Sequence, residues 1–161
     1  MKSPIRLTLM LASAFLLFTA QKCGSGKYEY EPTTSIEIAK TGCFGQCPTY
    51  VFSLKGDGSA TFNGRRFVEP EGEHHRTYSA DTTNMVFSRL IEADLYQYER
   101  EYTDNVTDLP TTYLTFEHEG KQKKIKLYYG YPEELGTIVE QLQEVALTKG
   151  WMEGKAPEEE K

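Results

Sequence analysis

Cations are in the minority along this chain. Its 18 lysines and arginines stand against 24 aspartates and glutamates, a net charge of −6. That balance disfavours nucleic acid and anionic membrane surfaces, both of which are gripped through lysine and arginine. Histidine and cysteine are scarce, with three of each, so a four-ligand metal centre has few residues to draw on. There is no nucleophile elbow, no phosphate-cradling glycine loop and no HExxH pair. Neither a cofactor nor a metal is expected. Long apolar runs are missing too, since the longest falls short of the roughly twenty residues that a membrane span needs.

That longest run, Leu7 to Ala20, follows Lys2 and Arg6 and covers fourteen residues. Its length and flanks fit the core of an export signal over residues 1–22. Cys23 comes next, with Gly24 and Ser25 behind it. This is the position at which a bacterial lipoprotein is cleaved and acylated, although Lys22 stands where a small residue is usual. Cleavage after Gly26 and an uncleaved anchor are the rival outcomes. Loss of residues 1–22 removes Lys2, Arg6 and Lys22, which leaves 15 basic residues against 24 acidic ones and a net charge of −9.

Residues 23–34, rich in glycine, serine and proline, read as a flexible tether, and residues 153–161 as a disordered acidic tail. Between them, residues 35–152 are the size of one domain with one core. Alternating apolar residues predict strands over Ser35–Lys40, Thr49–Lys55 and Ser59–Asn63, the last two joined by a Gly56-Asp57-Gly58 turn. Pro70 and Gly72 break the next passage, either flank of which reads as a short edge strand. Ser79 or Asp81 caps a helix running to about Leu95, with Phe87, Leu90, Ile91 and Leu95 in its stripe. Two more strands follow, Thr112–His118 and Lys123–Gly130. A final helix begins at Pro132 and carries Leu135, Ile138, Val139, Leu142 and Val145 on one face; Lys149 suits its last turn and Gly150 its left-handed end. The order predicts an α+β domain, an antiparallel sheet of about five to six strands with two helices packed on one face.

The stretch TGCFGQCPTY sets Cys43 and Cys47 four residues apart. With Cys23 acylated, these two remain as an even number in an oxidising compartment, and a small disulfide loop at the entrance to the strand is the expected reading. The alternative is a redox-active pair. Against it, a thioredoxin-type centre uses two intervening residues and a helix N-terminus, whereas three intervene here and Pro48 biases Cys47 toward extended backbone. Metal ligation would need two more ligands, and the adjacent His74 and His75 point to opposite faces of any strand that holds them.

The run from Ile36 through the cysteine segment and its hairpin, then EYTDNVTDLPTTYLTF and a helix ending at Trp151, resembles a family of exported bacterial domains of unknown function. The family's mark is a cysteine, an aromatic or small residue, glycine, any residue, cysteine and proline, leading into a strand and a glycine-rich hairpin. Cys43, Gly45, Cys47, Pro48, Tyr50, Gly56 and Gly58 match it, as do Asp108 and Pro110. The resemblance implies an exported, often lipid-anchored single domain and no established chemistry.

Eleven tyrosines are many for this length. Tyr102, Tyr128, Tyr129 and Tyr131, together with Asp104 and Asp108 on the polar connection, are the candidate binding residues, because tyrosine couples apolar area with a polar tip. Asp104 and Asp108 lack the alternation and the glycine of a calcium loop. The function expected is therefore a non-enzymatic, lipid-anchored module of the cell envelope (outer membrane or periplasm) that binds a protein, peptide or glycan. The alternative is an envelope thiol–disulfide protein using Cys43 and Cys47.

Overall fold

A computed structural model of the chain describes residues 26–154. The segment expected as an export signal, Cys23 and most of the segment expected as an acidic tail lie outside those residues. Eight strands and two helices follow in the order β1 (Ser35–Lys40), β2 (Thr49–Lys55), β3 (Ser59–Arg66), β4 (Gly72–Thr77), α1 (Ala80–Glu92), β5 (Glu101–Tyr102), β6 (Thr112–His118), β7 (Lys121–Leu127), α2 (Glu133–Ala146) and β8 (Met152–Glu153). They form one sheet in the order β5-β7-β6-β1-β2-β3-β4-β8. Every pairing is antiparallel except β5 with β7, which is parallel.

The α+β class and the two helices stand, but the expected antiparallel sheet of five to six strands is wrong: the sheet is open, mixed and eight-stranded. The difference lies at its edges. β5 and β8 are two residues each, EY and ME, too short to show a period-two pattern. They are strands only because a neighbouring backbone is there to pair with.

Register makes one face of the sheet apolar. Ile36 sits between Leu54 and Phe116, Ile38 between Phe52 and Leu114, Phe52 opposite Phe62, and Leu114 opposite Ile125. All of these side chains are buried and share a core with the inward stripes of both helices. α1 starts where the serine cap predicts, the Ser79 hydroxyl accepting from the Thr82 N–H. Its stripe includes Thr83 and Val86, while Ile91, expected inside, is 38% exposed. α2 ends at Ala146, earlier than Lys149 and Gly150 suggest. Gly150 instead uses its φ of 103° to turn residues 147–154 back over the core edge.

Trp151 is the anchor of that return. Its ring lies 5.3 Å from Phe62 and 6.0 Å from Phe52, and its indole N–H donates to the Ala146 carbonyl at 3.0 Å. Residues 26–34, expected as tether, are also docked. Tyr28 donates to the Tyr78 carbonyl at 2.7 Å, and Tyr30 packs on Phe87 with its hydroxyl 3.0 Å from the Ser88 hydroxyl. Gly56 permits this docking, because a side chain there would meet the Glu31 carbonyl at 2.2 Å.

Candidate functional site at the loop end of the sheet

Strand directions decide which loops meet. β1 ends at Lys40 opposite the start of β2, while β3 ends and β4, β6 and β7 begin or end at that same side. Loops 41–48, 67–71, 103–111 and 128–132 therefore all gather at one end. Residues 56–58, 119–120, Thr34 and the start of α1 gather at the other.

Cys43 and Cys47 form a disulfide with Cα atoms 5.6 Å apart. Both are half-buried, at the tip of the β1–β2 connection, and neither lies in the first turn of a helix. The Gly45 N–H donates to the Cys43 Sγ at 3.3 Å. Phe44, enclosed between the cysteines, is 93% exposed. Thr41 ties this loop to its neighbour: its N–H donates to the Thr111 carbonyl at 2.9 Å, and its hydroxyl accepts from the Thr111 N–H at 3.0 Å.

The neighbouring loop holds the acidic candidates. Asp104 accepts from the Asn105 N–H at 2.7 Å, and Asp108, at φ 70°, accepts from the Thr107 hydroxyl at 3.2 Å. Both carboxylates are exposed and serve their own loop. Tyr102 and Tyr128 are brought together with it. The Tyr102 carbonyl accepts from the N–H groups of Tyr128 at 2.9 Å and Tyr129 at 3.3 Å, while the Tyr128 hydroxyl reaches the Val106 carbonyl at 2.8 Å. Tyr129 and Tyr131 stay exposed beside them.

Residues 34–146 match a domain of unknown function, DUF6438. The chain belongs to this family. No curated protein matches it. The DUF6438 match takes in β1 to α2 and so includes the disulfide loop and the 103–111 loop, but it stops short of Tyr28, Tyr30 and Trp151.

Beneath the DUF6438 disulfide loop, on the core face, stand Lys40 and Tyr50, opposite each other in the β1–β2 pair. The Lys40 ammonium donates to the Gln143 side-chain oxygen at 2.6 Å, and burial holds its pKa below the ordinary value. Tyr50 is fully buried with no partner for its hydroxyl, and desolvation pushes its pKa up. The histidines do not join them. His74 pairs with the Glu71 carbonyl and His75 with the Gly154 carbonyl. Among the described residues no group of three or more His, Cys, Asp or Glu side chains is placed to hold a metal ion.

Sequence reasoning singled out the tyrosines and missed Phe44, Phe67 and Leu109. Phe44 had a signal available, since a side chain inside a five-residue disulfide loop has no core within reach. A groove of about 570 Å³ opens elsewhere, between α1 and α2. Its floor is Val86, Leu90, Ile138 and Leu142, with exposed Arg89 and Glu144 at its edges.

Proposed function

We propose that Cys43 and Cys47 are a thiol–disulfide exchange site. The observation that carries this reading is a half-buried disulfide in an otherwise exposed loop tip, with a backbone N–H directed at one sulfur. A partner thiolate attacks the Cys47 Sγ, forms a mixed disulfide and breaks the Cys43–Cys47 bond. Cys43 leaves as a thiolate, which the Gly45 N–H stabilises by hydrogen bonding. A second partner thiol then resolves the mixed disulfide. Two electrons and two protons have passed to Cys43 and Cys47, and the partner holds a new disulfide. The test is the reduction potential of the pair in glutathione buffers. A value between about −270 and −120 mV, the range of exchange proteins, is expected; one below about −300 mV marks a purely structural bond.

The exposure of Phe44 favours a second reading, in which the same end binds a protein, peptide or glycan without chemistry. Under either reading we place the domain in the cell envelope, exported and held to the membrane by a lipid on Cys23. The support is the short apolar run followed closely by a cysteine. Gly26 lies against Ala80 and Asp81 at the start of α1, so a lipid three residues earlier would turn the disulfide end away from the membrane. Cys23→Ala is expected to move the protein out of the membrane fraction. An unchanged fraction rejects the lipid.

A further inference from the structure

Nine large apolar side chains stay exposed among the described residues, and five of them, Phe44, Phe67, Leu109, Tyr129 and Tyr131, belong to the loop end. They come from four separate loops, so their convergence follows from strand order and not from sequence proximity. Tyr129 follows β7, Leu109 precedes β6, Phe44 lies between β1 and β2, and Phe67 follows β3. The row crosses four strand spacings, about 19 Å at about 4.8 Å each, which an extended segment of roughly six residues covers.

Within the four loops of this end, charge has one sign. Loops 41–48, 67–71, 103–111 and 128–132 contain Glu69, Glu71, Asp104 and Asp108, all exposed, and no lysine, arginine or histidine. Of the flanking cations, Lys40 is held by Gln143 and Lys126 pairs with Glu101 at 2.7 Å. Arg65 and Arg66 at the end of β3 are exposed, the Arg66 guanidinium 5.2 Å from the Phe67 ring centre, and the four loop carboxylates outnumber these two arginines. An anionic membrane meets four carboxylates here and is disfavoured. A second copy of this chain would bring the same four carboxylates to the contact and is disfavoured by like-charge repulsion.

We propose that the loop end is a docking surface for an extended polypeptide segment in which lysine or arginine alternates with large apolar residues. The apolar row supplies contact area, with Phe44 at its centre, and the four carboxylates select for cationic segments. This deepens the binding reading above and does not need exchange chemistry.

The probes are two fluorescein-labelled twelve-residue peptides without cysteine, each with three leucines and one phenylalanine. One carries four lysines and the other four glutamates. Titrated with the full chain in a nonionic detergent, the lysine peptide is expected to bind at least about tenfold more tightly, equivalent to about 1.4 kcal/mol. Phe44→Ser, on an exposed tip and therefore without effect on thermal unfolding, should weaken that binding about tenfold. The quadruple variant Glu69→Gln, Glu71→Gln, Asp104→Asn and Asp108→Asn should erase the preference between peptides while leaving the Phe44 effect in place.

Equal affinity for the two peptides, with Phe44 still needed, overturns the cationic partner and keeps a binding end. No Phe44-dependent binding of either peptide overturns both. Phe44-dependent capture by phosphatidylglycerol vesicles, or a Phe44-dependent dimer in sedimentation, replaces the polypeptide with a membrane or a second copy.

Discussion

A phenol buried without a hydrogen-bond partner costs free energy, and Tyr50 is such a group. Tyr50→Phe keeps the ring stacked on Phe62, 5.2 Å away, and removes the unpaired hydroxyl, so it is expected to raise stability by about 1 kcal/mol in urea unfolding. The pH dependence has opposite signs at the two opposed residues. Lys40 loses its proton at a lower pH when folded than when unfolded. As pH rises through that depressed folded value toward the ordinary 10.5, the unfolded chain holds more protons, and stability rises. Tyr50 keeps its proton longer when folded. Above its ordinary 10.0 the unfolded chain holds fewer protons, and stability falls. Lys40→Met should therefore remove the alkaline rise and Tyr50→Phe part of the fall that follows, both read from unfolding between pH 8 and 11. Unchanged profiles would remove burial as the cause. Alternation in TYVFSLK was enough to place Tyr50 inside, but no pattern in the sequence says whether its hydroxyl finds a partner there.

At the scale of elements, legibility follows length. β1, β2 and β6 have the boundaries that their alternation predicts, because six or seven residues contain enough period to fix both ends. β3 runs three residues past Asn63 because Gly64 lets the Pro70 carbonyl approach, a position where any side chain would meet that oxygen at 2.0 Å. β5 and β8 have no period and were invisible. The disulfide loop was readable as a covalent turn, while the apolar row at its end was not, since it depends on four loops converging through strand order. Chain entropy assigns the five-residue loop a contribution of about 2 kcal/mol, arising mainly in the unfolded chain. Cys43→Ser with Cys47→Ser, or reduction of the parent, should lower the unfolding free energy by about that amount without altering the far-ultraviolet circular dichroism. A loss well above about 4 kcal/mol would mean that the loop organises the sheet and does not merely close a turn.

For the whole molecule, the folded unit is larger than the stretch by which the family is recognised. The match ends at Ala146 and begins at Thr34, yet Tyr78 is held from beyond both limits: Tyr28 donates to its carbonyl, and Trp151 stands edge-on at 6.1 Å from its ring. Arg76 completes this edge, its guanidinium 4.1 Å from the Tyr78 ring centre and 5.6 Å from the Trp151 ring centre, while it donates to the Lys149 carbonyl at 2.9 Å. The C-terminal return thus lays Trp151 on Phe52 and Phe62 beside the end of α2, and β8 pairs the outer edge of β4. Trp151→Ala is expected to cost about 3 kcal/mol, near the lower end for deleting a large aromatic ring because Trp151 is only half-buried. Ending the chain after Ala146 removes the same ring and also the β8 pairing and the Arg76 contacts, so its melting temperature should fall below that of Trp151→Ala. If the shortened chain melts with the parent, residues 147–154 rest on the domain without holding it, and the core closes at the family boundary.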